Sequence, residues 1–246
     1  MEPAPHTAAA IIVGNEILSG KIRDENGPYL LRGLRALGVE VRRVETVPDE
    51  EAAIVDAVQR CRSLAAHLFT SGGIGTTHDD LTVPSVAKAL GRQVIHHPDI
   101  VALLETRWGK GLSPNRLRLA EVPEGGEVLW GQNRELVFPA IAAENVLILP
   151  GVPELFVEKF DALKERYRSP PIALVTFFLS VGEGRIAQTL TEATELFAGV
   201  AIGSYPRFDS AGYKVKVTVE SRDAEQCARC ATFLREKLKD GILRVE

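Results

Sequence analysis

The sequence contains few cysteines, and their number is odd. Among its 246 residues there are three, at Cys61, Cys227 and Cys230. Domains that depend on disulfides carry an even and usually larger set, so this count argues against a disulfide framework. It favours the reducing conditions of the cytoplasm.

The chain also has no excess of positive charge and no long apolar run. Its formal net charge is −4, which gives no electrostatic basis for binding nucleic acid. No apolar segment approaches the roughly 20 residues of a membrane span. The N-terminal stretch MEPAPHTAAAIIVG lacks the basic start of a signal peptide. We therefore expect a cytoplasmic protein whose partner is neither a membrane nor a nucleic acid.

The first part of the sequence alternates predicted strands and helices. Short apolar runs predict strands at residues 8–13, 39–47, 65–70 and at a run that ends at 149. Amphipathic spacing predicts helices at residues 28–37, 50–61, 84–90 and 153–167. Strand–helix alternation with short connections indicates parallel strands with helices on both faces. Residues 108–139 are less regular, and we predict loops and short strands there.

The pattern changes after the linker RSPP at residues 168–171. The order becomes strand, helix, strand, strand, helix, strand, which is the split βαβ pattern of a small α+β domain. The predicted elements are residues 172–180, 183–196, 200–205, 213–220, 224–238 and 242–245. We therefore divide the chain into a domain at residues 1–169 and a second domain at residues 170–246.

A glycine-rich loop follows the third predicted strand. The stretch SGGIGTTHDDLT covers residues 71–82, and its glycines permit positive φ angles and close approach of a ligand. Successive N–H groups at such a position can bind an anion. The loop matches neither GxxxxGK[ST] nor GxGxxG, so a tight turn without a ligand is the alternative. The candidate phosphate-binding residues are Ser71, Gly72, Gly73, Gly75, Thr76 and Thr77.

Two adjacent aspartates in the same loop are unexpected beside a phosphate. Asp79 and Asp80 would repel it unless a cation lies between them or one contacts a neutral part of the ligand. Divalent cations bind carboxylate and phosphate oxygens together and can activate water. We predict Asp79 and Asp80 as catalytic residues and Glu16 and Asp80 as metal ligands. The alternative is a favourable interaction of these aspartates with the dipole of the following helix.

Other polar loops leave the same predicted sheet edge, where ligands bind in folds of this kind. Asp24 and Asn26 could also cap a helix, and the PGVP turn could simply begin one. Thr82 is a candidate ligand residue and a candidate helix cap. The remaining predicted pocket residues are Gly14, Asp24, Asn26, Thr82, Pro150 and Gly151.

Other motifs have weaker functional interpretations. Cys227 and Cys230 form a C-x-x-C pair inside a predicted helix, so we interpret them as core residues. The neighbouring histidines 96 and 97 lack spaced partners for a metal. His78 lies in the glycine loop, either as an acid–base group or facing solvent. The aromatic residues of the second domain favour an edge strand over an RNA-stacking surface; they are Tyr205, Phe208 and Tyr213.

Five motifs, in order, carry a family resemblance: IIVGNEILSGKIRDEN, VPDE, TSGGIGTTHDDLTVPSVAKAL, LPGVPEL and GSYP. They resemble the molybdopterin-binding (MoaB/Mog-like) domain family of the CinA type. The variant most similar to them is the N-terminal molybdopterin-binding-like domain of FAD synthase. The resemblance covers nearly the whole chain. It implies a three-layer α/β/α domain with a mostly parallel sheet, followed by a small α+β domain.

The resemblance also implies ligands and chemistry. In this family the glycine loop binds pterin or nucleotide phosphates, and relatives usually form homo-oligomers. The CinA and FAD-synthase branches imply hydrolysis of ADP-ribose or FAD, stimulated by a divalent metal (Mg²⁺, Co²⁺ or Ni²⁺) and by potassium. Thr76 replaces the usual proline, and Asn15 stands where threonine is common. The amidase domain of full CinA and the adenylyltransferase domain of FAD synthase have no counterpart here, so we expect neither activity.

We therefore expect a metal-dependent nucleotide pyrophosphatase acting on a dinucleotide such as FAD or ADP-ribose. The first alternative is a molybdopterin-binding protein of molybdenum cofactor biosynthesis. The second is a non-catalytic binding domain. The same loop serves all three, so the sequence does not separate them.

Overall fold

A computed structural model describes residues 6–131, 135–208 and 212–246 of the chain. These residues form two compact units, residues 1–169 and residues 170–246. In the described part of the chain, no helix combines the length and the apolar content that crossing a bilayer requires.

The described strands of the first unit form a sheet in the order β2-β1-β3-β8-β7-β6. The neighbouring pairs β2–β1, β1–β3 and β3–β8 are parallel. Strands β7 and β6 extend the sheet beyond β8 with antiparallel pairs. Their bounds are β1 Thr7–Val13, β2 Glu40–Val47, β3 His67–Ser71, β6 Glu127–Leu129, β7 Ala140–Ala143 and β8 Val146–Leu149. A separate antiparallel ribbon pairs β4 Val94–His96 with β5 Glu121–Pro123.

Helices cover both faces of this sheet. Alternate residues of β1 point to opposite faces, so Ile11 packs with the buried side chains of α3 and Ala10 with those of α2 and α7. The first face also includes α4 and α5, through Val86 and Ile100. The helices of this unit are α1 Asn15–Leu18, α2 Asn26–Ala36, α3 Glu51–Leu64, α4 Thr82–Ala89, α5 Pro98–Trp108, α6 Pro114–Leu117 and α7 Pro153–Leu163. The predicted three-layer α/β/α fold with a mostly parallel sheet is confirmed.

The second unit has the predicted split βαβ order. Its elements are β9 Ala173–Leu179, α8 Glu183–Leu196, β10 Ala201–Pro206, β11 Val215–Ser221, α9 Ala224–Lys237 and β12 Ile242–Val245. The strands lie in the order β10-β11-β9-β12, and every neighbouring pair is antiparallel. Cys227 and Cys230 are buried against Phe177 in the core of this unit. The interpretation of the C-x-x-C pair as core residues is therefore confirmed.

Several local predictions were wrong. Residues 98–108, where no helix was predicted, form α5, because Pro98 occupies its first turn and the His97 ring accepts the N–H of Asp99. Helix α2 begins at Asn26 rather than at residue 28, and its cap position is Glu25. Helix α4 begins at Thr82 itself, without a side-chain cap.

Two predicted regions extend beyond the described residues. The predicted irregular region contains α6, β5 and β6 among its described residues, but its residues 132–134 lie outside them. The predicted turn before β11 includes residues 209–211, which also lie outside the described residues.

Candidate functional site

The carboxyl ends of β1, β3 and β8 meet at one edge of the sheet. Gly14 follows β1, and its N–H bonds the Val47 carbonyl at the end of β2. The N–H of Gly72 bonds the Leu149 carbonyl over a distance of 3.2 Å. The three loops enclose a cavity of about 440 Å³. Its lining residues are Val13, Glu16, Ile17, Ile22, Arg23, Glu25, Asn26, Asp49, Gly72, Gly73, Ile74, Asp79, Asp80, Gly151, Val152 and Pro153.

Two glycines of the loop are required by close packing. Gly72 has φ +96°, and a Cβ there would lie 2.2 Å from the Val13 carbonyl oxygen. Gly73 has φ +62°, and a Cβ there would lie 2.4 Å from Oγ1 of Thr82. Any side chain at either position would therefore both strain the backbone and collide with its neighbours. At Gly72 and Gly73 the cavity wall therefore consists of backbone atoms without side chains.

Thr82 holds this loop in place from within the core. Its side chain is fully buried. Its N–H bonds the Gly73 carbonyl at 2.9 Å, and its hydroxyl donates to the Gly72 carbonyl at 2.7 Å. Thr82 does not line the cavity. Its contacts make it a positioning residue, which differs from the helix cap predicted from the sequence.

The end of the loop is fixed by Thr77 and Arg118. The N–H and hydroxyl of Thr77 donate to Oδ2 of Asp80 at 2.7 and 2.6 Å. The guanidinium of Arg118 donates to the carbonyls of Thr77 and Asp80, the latter at 2.6 Å. Sequence reasoning missed Arg118 because it lies in the segment predicted as irregular. No motif marks it.

Asn26 connects the glycine loop to the PGVP turn. Its Nδ2 donates to Oγ of Ser71 at 2.9 Å and to the Gly151 carbonyl at 2.8 Å. The Ser71 hydroxyl donates in turn to the Pro150 carbonyl. Ser71 and Pro150 therefore lie behind the cavity wall, where they hold two loops together. Asn26 is 6% exposed, and its Oδ1 has no hydrogen-bond partner in the described structure.

The cavity is strongly acidic. Five carboxylates line it, against one arginine, Arg23. Hydrogen bonding, first by the Thr77 side chain and then by the backbone of Asp79 itself, lowers the pKa of the Asp79 carboxyl, and the Arg118 guanidinium lowers it further. The predicted acids Glu16, Asp79 and Asp80 are thus brought together, and the structure adds two that we had not singled out, Glu25 and Asp49.

Asp49 lies within the VPDE motif, which was noted only for its family resemblance. Its carboxylate accepts the Asn15 N–H at 2.7 Å and so fixes the start of the first loop. Asp49 follows the predicted strand at residues 39–47, so strand direction already placed it at the same sheet edge as the glycine loop, but it was not singled out. The parallel pairing of β1 with β2 brings it there.

Some predicted residues lie outside the main cavity. Gly75 lines a smaller cavity of about 50 Å³ with Asp80 and Arg118. Asp24 accepts the Gly27 N–H at 2.9 Å and lines a neighbouring groove. The side chain of His78 is 98% exposed. The other predicted residues that do not line the main cavity are Gly14, Ser71, Thr76, Thr77, Thr82 and Pro150.

Fold and site together define a class of protein: a three-layer α/β domain with a glycine-loop cavity at the carboxyl edge of its parallel strands. A family model described as "Probable molybdopterin binding domain" matches residues 9–169. The chain belongs to this family. A second model, described as "FAD synthase, middle domain", matches residues 171–246.

Relatives of two kinds are similar to the chain. A protein of Archaeoglobus fulgidus is 32% identical, over 94% of this chain and 97% of its own length. A probable FAD synthase of Caenorhabditis elegans is 32% identical over 98% of this chain, which spans only 51% of that relative. Among solved structures, the protein CinA of Thermoplasma acidophilum, described as of unknown function, is similar with a TM-score of 0.61 and 30% identity. The match covers 66% of this chain and 98% of that one.

Proposed function

We propose that this chain is a metal-dependent nucleotide pyrophosphatase that acts on a dinucleotide such as FAD or ADP-ribose. The observation that carries the proposal is the cavity itself, which joins bare glycine-loop backbone to five carboxylates. A phosphate 4 Å from one carboxylate would be repelled by about 4 kcal/mol near a protein surface. A phosphate ligand therefore needs a cation in the same cavity.

The carboxylates fit a divalent cation that the ligand helps to hold. Mg²⁺ commonly binds through one or two carboxylates together with phosphate oxygens and waters. The described residues contain no group of three or more His, Cys, Asp or Glu side chains placed to hold a metal by themselves, so phosphate oxygens of the ligand would have to complete the coordination. Glu16 and Asp80 would hold the cation. When bound, it would neutralise phosphate charge and lower the pKa of a bound water. Potassium is an additional proposed activator, based on the family resemblance alone.

The chain's own residues would orient the phosphates and receive a proton. The N–H groups of residues 72–77 would donate to phosphate oxygens. Asp79 lines the same cavity and would accept a proton from the attacking water. The water oxygen forms a bond to one phosphorus while the bridging P–O bond breaks. The products would be AMP and FMN from FAD, or AMP and ribose 5-phosphate from ADP-ribose.

The direct test is an assay for AMP. Purified protein is incubated with FAD or ADP-ribose and Mg²⁺, Co²⁺ or Ni²⁺, with and without potassium, and the products are separated by chromatography. Asp80→Asn is expected to lower turnover by about 100-fold or more. Asp99→Asn, an exposed aspartate outside the cavity, serves as the matched control. Folded protein that forms no AMP with any metal would eliminate this proposal.

The alternative function is binding of molybdopterin, which the description of the matching family model favours. The same loop and cavity would hold the pterin phosphate. Calorimetry with molybdopterin and with FAD separates the two, since tight pterin binding without AMP formation supports the alternative. A purely non-catalytic domain would be supported if Asp80→Asn changed neither binding nor turnover.

We further propose a cytoplasmic location and a homo-oligomer. All three cysteines are free and buried, which suits a reducing compartment. Four apolar side chains are exposed near the cavity and suit contact with a second copy: Leu18, Ile22, Val152 and Leu155. Light scattering after size-exclusion chromatography tests this, and a monomer at every concentration would reject self-association.

A further inference from the structure

Another cavity lies at the opposite end of the sheet from the glycine loop. This amino-edge cavity has a volume of about 310 Å³, at the lower end of the range for small-molecule sites. Its lining includes His67, Glu127, Leu129, Leu147, Arg166 and Tyr167. His67 begins β3, and the glycine loop follows the other end of that strand, about 13 Å away. The amino-edge cavity and the acidic cavity share no lining residue and are separate sites.

Tyr167 presents an unpartnered hydroxyl to this cavity. The residue is 8% exposed, and its ring meets the rings of His67 and Phe69 edge-on, with centres 4.9 Å apart in each pair. No group among the described residues bonds the hydroxyl. The hydroxyl is also not one of the fully buried polar atoms that lack a partner, so it reaches the accessible space of the cavity. Burial raises the pKa of Tyr167 to about 12, so the phenol keeps its proton and can donate a hydrogen bond.

His67 adds a second donor, because its neighbours fix its tautomer. Nδ1 of His6 lies 3.2 Å from the Tyr167 carbonyl oxygen, which can only accept, so this nitrogen carries a proton. Nε2 of His67 lies 3.3 Å from the same nitrogen and must therefore accept from it. Burial, and secondly the neighbouring His6, lower the pKa of His67, so its ring is neutral at neutral pH and its one proton is on Nδ1. That N–H has no partner in the described part of the chain.

Arg166 makes this end of the cavity positive. Its side chain is exposed and, within residues 6–131, 135–208 and 212–246, pairs with no carboxylate. Its charge acts on the pKa of Tyr167 in the opposite direction to burial, which places the guanidinium near the hydroxyl. A guanidinium, a phenol and an imidazole N–H therefore converge at one end of the cavity.

Two carboxylates also line the cavity, but neither cancels this positive end. Glu144 pairs with Arg62 at 2.8 Å and with Arg92 at 3.1 Å, so its charge is compensated. Glu127 lies on β6, three strands from β3. That separation is about 14 Å, beyond the screening length of about 8 Å in physiological salt.

The floor of the cavity is apolar. Leu129 and Leu147 are buried and Ala142 is partly buried, and all three pack on the same face of the sheet as Tyr167. A ligand could therefore bury an apolar body on this floor while its polar end meets the three donors.

We infer that the amino-edge cavity binds a small carboxylate with an apolar body. A carboxylate has one charge and about four lone-pair positions, which match one guanidinium fork and two neutral donors. A phosphate monoester carries nearly two charges at neutral pH, and Arg166 alone would leave the second uncompensated. The inference does not depend on the proposed pyrophosphatase activity, because the two sites are separate.

Long-range ¹H–¹⁵N NMR spectra of the histidine rings in the whole chain test the inference. The probe is 3-phenylpropionate, compared with 3-phenylpropanamide, which keeps the shape without the charge, and with acetate, which lacks the apolar body. The acid should shift the His67 signals in a saturable way, and both comparison compounds should bind at least about tenfold more weakly. The His67 signals are assigned by their loss in His67→Gln. The signals of His78, whose side chain is 98% exposed in the glycine loop, should not move.

Two variants test the donors. Tyr167→Phe keeps the ring contacts and removes only the hydroxyl, and Arg166→Gln removes the charge. Each should weaken 3-phenylpropionate by about tenfold. Arg32→Gln, at an exposed arginine that lines a different groove, is the matched control and should leave the affinity unchanged.

Several outcomes would overturn the inference. The site is refuted if 3-phenylpropionate causes no saturable shift of His67 up to its solubility limit, or if the acid and the amide bind equally. Normal binding by both Tyr167→Phe and Arg166→Gln would refute it as well. Tighter binding of phenyl phosphate would overturn the assignment to a carboxylate. The comparison of acid and amide uses the unaltered protein, so it decides the question even if a variant does not fold.

Discussion

Lys159 provides a quantitative test of how the first unit is packed. It lies on α7 and is only 5% exposed. Its ammonium donates to the carbonyls of Phe138 and Pro139, the latter at 2.9 Å, and lies 5.3 Å from the centre of the Phe138 ring. Burial lowers the pKa of Lys159 from 10.5 to about 8. Lys159→Met would keep the apolar stem and remove the ionisable group.

The sign of the pH effect follows from this lowered pKa. Below pH 8 the ammonium is charged in the folded and the unfolded chain, so the full cost of burying it is present. Between pH 8 and pH 10.5 the unfolded chain binds more protons, and the free energy of unfolding therefore rises with pH. The difference between the two pKa values corresponds to about 3 kcal/mol. At pH 10 the free energy of unfolding should therefore be about 2–3 kcal/mol higher than at neutral pH through Lys159 alone.

Urea unfolding followed by tryptophan fluorescence measures this effect in the first unit alone. The chain has two tryptophans, Trp108 and Trp130, and both lie in residues 1–169. The wild-type protein should gain about 2–3 kcal/mol relative to Lys159→Met between pH 7 and pH 10. Lys88→Met, at an exposed lysine paired with Glu51, is the control and should follow the wild type. Parallel curves for wild type and Lys159→Met would refute the reasoning.

Three other perturbations probe the loop, the helix packing and the thiols. Thr82→Val removes the buried bond to the Gly72 carbonyl and should lower the free energy of unfolding by about 1–2 kcal/mol in urea melts. Gly33→Ala would place a Cβ 2.4 Å from Cε1 of Phe160 and should cost about 1–3 kcal/mol in the same assay. The buried thiols should react slowly with a disulfide reagent at pH 8 in the native protein, because burial raises the pKa of each. Two of these pKa values rise to about 11, those of Cys61 and Cys230, and that of Cys227 also rises.

Each of these expectations has a control and a contrary outcome. Thr106→Val removes an exposed helical hydroxyl bond and should cost far less than Thr82→Val; equal costs would contradict the loop argument. Gly184→Ala meets open space on α8 and should not destabilise the second unit in urea melts followed by circular dichroism. A Gly33→Ala protein as stable as the wild type would show that Phe160 moves aside freely. In urea all three thiols should react at once, and fast native reaction would contradict their burial.

The periodicity of apolar residues and the short connections between predicted elements were enough to predict most of the fold. Alternating apolar runs and amphipathic helices with short connections predicted parallel strands covered on both faces, because each face must be buried. Helix α5 and the strand β7 were not predicted, and β6 was predicted only as an unplaced short strand within residues 108–139. Short strands such as Glu127–Leu129 carry too few residues for a clear pattern, and their antiparallel addition to β8 depends on pairing between distant segments.

The sequence by itself predicted which loops line the cavity. Gly72, Gly73, the paired aspartates and the polar loops after β1 and β8 were predicted to share one sheet edge, and they do line one cavity. Local sequence suffices for this, since strand direction alone places the carboxyl ends of parallel strands together.

Only the tertiary structure decided what each residue contacts within that edge. Thr82 holds the loop carbonyls from the core, Arg118 fixes the end of the loop, and Asp49 accepts the Asn15 N–H at the start of the first loop. The unsatisfied oxygen of Asn26 and the amino-edge cavity were likewise invisible in the sequence. These contacts join residues tens of positions apart, and their geometry depends on strand register and helix packing rather than on any local pattern.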